Sequence, residues 1–158
     1  ASHPKALSGE LLDQALRAHR TPHARWREGA WLGSRRSVHA MMDLSDGLST
    51  DLARLCASSK CAAVVTSVPV ASSARAFADH QGEDAERFAL AGGEDFELLI
   101  AVANRAFTYV AGRFKRHFGR DLYRVGEVRT GTGVFRTTAN GEEVLERAGW
   151  EHFTAPIS

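Results

Sequence analysis

Two aspartates stand three residues apart in the segment Met42–Leu48, whose sequence is Met-Asp-Leu-Ser-Asp-Gly-Leu. Apolar residues precede it as in a short strand and leucines follow it at helical spacing, so Asp43 and Asp46 are predicted to lie on a strand-to-helix turn. Carboxylates on such a turn can share a hard cation, and the backbone N–H groups at the start of a helix favour phosphate. Ser45 adds a hydroxyl between the two acids. The segment is therefore suited to Mg²⁺ bound together with a substrate phosphate.

A structural role for the same turn is the alternative. Asp and Ser are common capping residues where a helix begins. On this interpretation Asp46 would cap the helix and Asp43 would close an Asx turn. Neither carboxylate would then bind a ligand.

A second acidic segment, Gly92–Glu97, reads Gly-Gly-Glu-Asp-Phe-Glu and is predicted at the edge of a strand. Glycines allow the backbone to approach a ligand closely, and Glu94 and Asp95 place negative charge beside it. The alternative is a glycine that ends a helix, followed by solvated acids. Glu97 is predicted to lie inside the strand with a structural role.

An aromatic cluster, Trp150–Phe153, lies near the carboxyl end of the sequence. Aromatic residues in this position often dock the end of the chain onto the core. The functional interpretation is a platform on which a flat heterocycle stacks.

Other reaction chemistries find no support in the sequence. Gly126–Thr132 has the spacing of a P-loop, but Thr132 stands where the phosphate-binding lysine is required. There is no Gly-x-Ser-x-Gly motif and neither cysteine has a histidine nearby in sequence, so no catalytic nucleophile is predicted. Cys56 and Cys61 are too few for a zinc site or a disulfide scaffold, and they predict two reduced core thiols in a cytoplasmic protein.

The length of 158 residues fits a single domain, and the formal net charge of +1 argues against a nucleic-acid binder. The longest apolar run, Leu98–Ala103, is far shorter than the roughly 20 residues that cross a membrane. The near-neutral total hides two charged stretches. Residues Arg17–Arg36 hold six arginines and one acid, whereas Gln81–Glu97 holds six acids and one arginine. The basic stretch receives no functional assignment.

The pattern of apolar residues and turn signals predicts a mixture of helices and strands. Six helices are predicted. The first begins at Ser8, and the others run from Thr21-Pro22 to Gly33, from about Leu48 to Ala57, from Ser72 to Asp79, from Asp84 to Leu90 and from Asn104 to Gly119. The predicted strands are Val38–Met42, Ala62–Val68, Phe96–Val102 (buried on both faces), Leu122–Val128, Val134–Thr138 and a short one near Val144, with Asn140-Gly141 as a type I′ turn. The expected fold class is α/β or α+β, one domain over residues 1–158 with helices packed on a sheet.

Three segments of the sequence resemble the carboxy-terminal half of the thiamine-monophosphate kinase family. They are Ala40–Leu52, Leu90–Leu99 and Gly149–Phe153. That family is related to aminoimidazole ribonucleotide synthetase, selenophosphate synthetase and hydrogenase maturation protein E. The resemblance extends from about Leu11 to Phe153, and it implies a layered helix–sheet–helix domain like the carboxy-terminal domain of aminoimidazole ribonucleotide synthetase.

The resemblance also implies a reaction and a role for particular residues. The reaction is transfer of the γ-phosphate of ATP to thiamine monophosphate, which gives thiamine diphosphate. Asp43 and Asp46 would bind Mg²⁺, Ser45 would contact ATP, and Glu94 would contact the thiamine phosphate. Trp150 would line the heterocycle pocket, with Phe153 as the second choice. Such a reaction depends on positioning and charge neutralisation, which agrees with the missing nucleophile.

The sequence departs from the family pattern in a few places. Phe96 replaces the more usual Tyr, and Arg54 and the second methionine of Met41-Met42 are less typical. None of these is expected to touch the proposed ligands.

The family enzyme also has an amino-terminal domain with further metal and ATP contacts and the dimer-forming sheet, to which nothing in this sequence corresponds. The chain is therefore expected to be the carboxy-terminal half of a two-domain kinase, inactive alone and homodimeric when complete. Two alternatives remain: a stand-alone nucleotide- or phosphate-binding regulatory module, and a folded remnant that binds nothing.

Overall fold

The computed structural model describes residues 9–148. The predicted heterocycle-binding residues Trp150 and Phe153 therefore lie outside the described residues. Within the described range, helices and strands alternate much as the sequence predicted, and the domain is of the α+β type.

Six α-helices and six strands make up this part of the chain. The helices are α1 (Gly9–Arg20), α2 (Trp26–Gly33), α3 (Leu48–Ser59), α4 (Ser72–Gln81), α5 (Ala85–Ala91) and α6 (Phe107–Phe118), the last preceded by a short 3₁₀ helix, Asn104–Ala106. The strands are β1 (Val38–Asp43), β2 (Ala62–Val65), β3 (Leu98–Val102), β4 (Gly126–Arg129), β5 (Gly133–Thr138) and β6 (Gly141–Val144).

The strands form two separate sheets. β1 and β3 pair antiparallel, with Asp43 opposite Leu98. The other four strands follow the order β4-β2-β5-β6, in which only the β2–β5 pair is parallel. Parallel neighbours need a long crossover connection, and here that connection contains β3 and the helices on either side of it.

Each sheet has its own apolar core. The larger core lies between α3, α5 and the four-stranded sheet, and its buried residues are Leu48, Leu52, Cys56, Ala63, Val65, Val68, Leu90 and Val134. In the smaller core, α2 and α6 cover the two-stranded sheet through the buried residues Leu32, Val110 and Phe114. The segment between β1 and α3 joins the two cores, because β1 belongs to the small sheet and α3 to the large one.

The second helix begins later than the sequence predicted. Thr21-Pro22 is not its N-terminus, because α2 begins at Trp26 with Arg25 as the capping residue. Instead, Thr21 closes α1, since both its backbone N–H and its hydroxyl donate hydrogen bonds to the carbonyl of Arg17. The proline follows a completed helix and does not start a new one.

Strand β3 also differs from the prediction in its start and its burial. It begins at Leu98 and not at Phe96, because Phe96 has a positive φ of 49° that no regular strand adopts. Its residues are partly exposed and not buried on both faces, since a two-stranded antiparallel sheet has only one covered face.

The final hairpin has its predicted position but a different turn. Thr138 pairs with Gly141, so the two loop residues are Ala139 and Asn140. Neither has a positive φ, whereas a type I′ turn requires it at both central positions. The left-handed residue is Gly141, with φ 118°. In the described part of the chain, no helix is both long enough and apolar enough to span a bilayer.

Candidate functional site

The two acidic segments of the sequence meet at one end of the small sheet. β1 ends at Asp43 and β3 begins at Leu98, and the antiparallel pairing sets these two residues opposite each other. Beyond this pair the backbones remain hydrogen-bonded. The N–H of Leu44 donates to the carbonyl of Glu97 (2.9 Å), and the N–H groups of Phe96 and Glu94 donate to the carbonyls of Leu44 and Ser45 (both 2.8 Å). The structure thus brings Asp43, Ser45, Asp46 and Glu94 into one region.

Glycines permit this close approach of the two segments. A Cβ at Gly93 would lie 2.7 Å from the carbonyl oxygen of Ser45, and one at Gly47 would lie 2.9 Å from that of Ala91. Gly47 also has a φ of 105°, which side-chain-bearing residues rarely adopt. Gly93, one of the two glycines that were expected to admit a ligand, therefore admits the neighbouring backbone.

Two residues without this freedom have positive φ in the same segment, Glu94 at 66° and Phe96 at 49°. A left-handed conformation costs an L-residue roughly 1–2 kcal/mol. Strain of this kind persists only where the surroundings impose it, and it is concentrated at functional sites. Here the backbone hydrogen bonds to Leu44 and Ser45 impose it.

A buried carboxylate that the sequence analysis left unassigned organises the turn after β1. Oδ2 of Asp51 accepts hydrogen bonds from the backbone N–H groups of Ser45 and Asp46, both at 2.9 Å, and its Oδ1 accepts one from Arg54 at 3.1 Å. Asp51 itself is fully buried. The residue that caps α3 is Gly47, with no side-chain hydrogen bond, so the alternative in which Asp46 caps the helix is wrong.

Asp46 instead forms an ion pair with Arg54. This hydrogen bond is the main reason why the pKa of the Arg54 guanidinium is raised above its ordinary value. Arg54 was expected to stay away from the proposed ligands, and that expectation is wrong. A helical position explains the contact, because Asp51 and Arg54 are three residues apart on one face of α3 and both reach back to the turn.

Asp43 has a different environment from Asp46. Its carboxylate is exposed and makes no hydrogen bond or ion pair within residues 9–148, so the Asx turn does not form there. It lines an open, mostly apolar cleft of about 460 Å³ together with Arg25, Trp26 and Phe96. Trp26 stands at the cleft with 68% of its surface exposed.

Ser45 and Glu94 are also available to a ligand. No residue of the described chain hydrogen-bonds to the hydroxyl of Ser45, although its backbone is fixed at both N–H and carbonyl. Glu94 is mostly exposed, and its one side-chain contact of ion-pair type among the described residues is with His19 of α1, whose Nδ1 lies 3.4 Å from Oε2. The acid therefore faces solvent next to the basic stretch.

Glu97 links the second acidic segment to arginines from two other parts of the domain. Arg25 binds it through two hydrogen bonds, of 2.6 Å and 3.1 Å, and Arg120 adds a third of 3.0 Å. Desolvation alone would raise the pKa of Glu97, but the hydrogen bond and charge of Arg25 and the charge of Arg120 outweigh it, and the pKa is lowered. Glu97 thus has the structural role predicted for it, but it lies just before β3 and not inside the strand. Its partner Arg25 is one of the arginines of the basic stretch. The pKa of the neighbouring Asp95 is raised, first by desolvation and then by the charge of Glu97.

The donor set fits Mg²⁺ in part. No three His, Cys, Asp or Glu side chains in residues 9–148 are grouped as a metal site. Magnesium commonly takes one or two carboxylates and completes its shell with waters and substrate phosphates. Asp43 offers such a carboxylate without a competing partner, whereas a cation at Asp46 would share that carboxylate with Arg54.

Comparison with known proteins supports this view of the fold. The family model described as AIR synthase related protein, C-terminal domain, matches residues 3–138. A thiamine-monophosphate kinase of Rhodopirellula baltica is 34% identical over 139 residues, which cover 87% of this chain and 42% of the relative. The Escherichia coli K12 protein of the same name is 31% identical and covers 91% and 44%. The chain thus spans about two fifths of the length of these relatives.

Solved structures give the same result. One described as AaThiL complexed with AMPPCP and TMP matches with a TM-score of 0.72 at 25% identity, over 94% of this chain and 44% of that one. The thiamine-monophosphate kinase of Stenotrophomonas maltophilia also has a TM-score of 0.72, at 28% identity, over 85% of this chain and 42% of its own. The layered α+β fold expected from the sequence is thereby confirmed.

Replacing Asp51 by Asn tests the role of the buried carboxylate. The amide offers one acceptor oxygen in place of two and loses the charge that Arg54 binds, so we expect unfolding free energy to fall by about 3 kcal/mol. Denaturant titration measures this loss. Asp43→Asn, which removes a charge without a partner among the described residues, should change stability by less than about 0.5 kcal/mol. Equal stability of the two variants would contradict the assigned role.

Replacing Gly93 by Ala tests the contact between the two acidic segments. The added methyl group would meet the carbonyl of Ser45, and we expect a loss of about 2 kcal/mol in unfolding free energy. Gly112→Ala in α6 is the matched control, because a Cβ there meets nothing within 4 Å. The control should be neutral or more stable by up to about 1 kcal/mol. A stable Gly93→Ala protein would show that the segments do not pack as described.

Replacing Glu97 by Gln tests its ion pairs through pH. The pKa of Glu97 is lowered on folding from its ordinary value of 4.5. The ionised side chain therefore stabilises the fold fully at pH values above 4.5, and this stabilisation is lost as the pH falls toward the lowered pKa. Since the side chain is half exposed, we expect about 1 kcal/mol or less at neutral pH. In denaturant titrations, the stability difference between wild type and variant should shrink as the pH falls below about 4.5. The exposed Glu83→Gln variant should show no such change, and a constant difference for Glu97→Gln would refute the pairing.

Proposed function

This chain belongs to the family described as AIR synthase related protein, C-terminal domain, and from that premise we propose that it is the carboxy-terminal half of a two-domain cytoplasmic kinase acting on thiamine monophosphate. The proposed reaction transfers the γ-phosphate of ATP to thiamine monophosphate and gives thiamine diphosphate. In the proposed two-domain protein, residues of the amino-terminal domain complete the site. The full-length protein forms a homodimer.

The observation that carries the proposal is the meeting of Asp43, Ser45, Asp46 and Glu94 at one edge of the small sheet. The similar proteins are named thiamine-monophosphate kinase, and one solved neighbour is complexed with AMPPCP and TMP. The first ligand is an ATP analogue and the second is the expected phosphoryl acceptor. A site built for phosphoryl transfer needs charge neutralisation and positioning, and this end of the sheet supplies the exposed carboxylates of Asp43 and Glu94 next to rigid backbone.

Each residue has a proposed role that follows from its surroundings. Asp43, exposed at the apolar cleft, binds Mg²⁺, and Asp46 binds Mg²⁺ in competition with Arg54. The free hydroxyl of Ser45 donates to an ATP phosphate. Glu94 binds the thiamine monophosphate from the solvent side, and Trp150 lines the heterocycle pocket, with Phe153 as the second choice.

Mg²⁺, when bound, would neutralise the phosphate charge that builds up during transfer. The chain's own contribution is to hold the donors in place before any ligand arrives. Asp51 fixes the backbone of Ser45 and Asp46, and the strained Glu94 is fixed by its hydrogen bond to Ser45.

Replacing Asp43 by Asn tests the proposal in the full-length protein. Loss of the free carboxylate should lower phosphorylation of thiamine monophosphate by about 100-fold or more, with little change in melting temperature. Activity is measured as formation of thiamine diphosphate at increasing Mg²⁺ concentration. Asp79→Asn, an equally exposed acid on α4, is the control and should retain full activity. Full activity of Asp43→Asn would refute the metal role.

Calorimetry of the isolated chain with MgATP and with thiamine monophosphate separates the proposed kinase half from the alternatives. Binding together with recovery of kinase activity on mixing with the matching amino-terminal domain supports the proposal. Binding without recovered activity would favour a stand-alone nucleotide- or phosphate-binding module, and no binding at all would favour a folded remnant.

A further inference from the structure

The end of α3 brings the only two cysteines of the sequence into contact. Lys60 has a left-handed φ of 52°, its N–H donates to the carbonyl of Ala57 (3.3 Å), and the N–H of Cys61 donates to that of Cys56 (3.0 Å). These two hydrogen bonds define a Schellman motif, in which the side chains at the positions of Cys56 and Cys61 usually make an apolar contact. In this chain those two positions carry thiols, and Cys61 packs against the core cluster that contains Cys56.

The two thiols differ in their access to solvent. Cys56 is 3% exposed and belongs to the larger core. Cys61 is half-buried and borders an open cleft of about 540 Å³. Cys56 belongs to the same lining with 3% of its surface exposed, and the charged residues around the cleft are Lys60, Glu146 and Arg147. Burial, and next the charge of Cys61, raises the pKa of Cys56 to about 11. A buried thiol of this kind does not start an exchange reaction, whereas the half-buried thiol of Cys61 can be reached from solution.

We propose that Cys56 and Cys61 form a reversible modification site, at which a low-molecular-weight disulfide of the glutathione type converts the two thiols to an intramolecular disulfide. The thiolate of Cys61 attacks one sulfur of the oxidant, which forms a mixed disulfide and releases the first thiolate. Cys56 then loses its proton and attacks the sulfur of Cys61, which releases the second thiolate. Two protein thiols are oxidised, one disulfide molecule is reduced to two thiols, and the two protons go to these products.

The Schellman turn favours this pairing over competing ones. The backbone hydrogen bond from Cys61 to Cys56 holds the two residues together before reaction. Two cations, Lys60 and Arg147, and one acid, Glu146, line the cleft, and this excess of positive charge favours the carboxylates of a glutathione-type oxidant. Because Cys56 lies about 12 Å along α3 from Leu48 at eight steps of ~1.5 Å, the disulfide forms far from the acidic turn. The proposal therefore stands whether or not the proposed kinase function does.

The test uses the native chain incubated with oxidised glutathione, followed by acid quenching, alkylation of free thiols and intact mass measurement. The expected product has lost two hydrogen atoms, carries no alkyl group and elutes as a monomer. Its melting temperature should rise by about 5 °C, since closing even a short loop constrains the unfolded chain. Reduction by dithiothreitol should restore both the mass and the melting temperature.

Two single substitutions complete the test, with folding verified by circular dichroism. Cys56→Ser should accumulate the mixed disulfide at Cys61, because the second thiol is missing. Cys61→Ser should stay unmodified in the native state, because Cys56 is buried. Two cysteines that are still alkylatable after the native wild type has been incubated with oxidised glutathione, or a disulfide that forms only in denaturant or between two chains, would overturn the proposal.

Discussion

The buried carboxylate of Asp51 is the interaction on which the site depends. Burying a charge is costly unless it is paired and hydrogen-bonded, and Asp51 meets both conditions through two backbone N–H groups and Arg54. It lies in the first turn of α3, where a negative charge is also favoured by the helix dipole. Because its partners are the N–H groups of Ser45 and Asp46, one side chain determines the path of the whole turn. The carbonyl of Ser45 is thereby placed to accept the hydrogen bond from the N–H of Glu94. The position of the second acidic segment therefore depends on the path of the first.

Two cores of different size meet at this turn, and that arrangement explains its rigidity. α3 is anchored in the larger core, whereas β1 and β3 belong to the smaller one. Movement of one core relative to the other would break the backbone hydrogen bonds between the acidic segments. Glu97 adds a second connection within the small core, because Arg25 comes from the start of α2 and Arg120 from beyond the end of α6. The exposed acids Asp43 and Glu94 thus lie on backbone that is held by buried or half-buried carboxylates, and these carboxylates are paired with arginines.

The sequence predicted those features that depend on local periodicity. The leucines of α3, the apolar stripe of α6 and strand β5 all have a repeat that selects one element type, and each element lies close to its predicted bounds.

Prediction from the sequence failed where a tertiary contact overrides local preference. Phe96 has strand character by type, but pairing with Leu44 forces it to a positive φ. Thr21-Pro22 has the pattern of a helix start, but Thr21 serves the preceding helix. Asp51 could have been found, since it lies on the apolar face with Leu48 and Leu55, where an unpaired acid would be costly.

Arg54 gives the two predicted metal ligands different electrostatic environments. Asp46 and Asp51 share its guanidinium, so these two carboxylates and one cation carry a net charge of one negative unit and not two. A divalent cation arriving at Asp46 must compete with a hydrogen-bonded guanidinium whose raised pKa keeps it charged. Asp43, three residues earlier, has no such competitor within the described residues and faces the open cleft. Within the proposed function, Asp43 would hold the first cation, because the carboxylate of Asp46 already binds the guanidinium of Arg54.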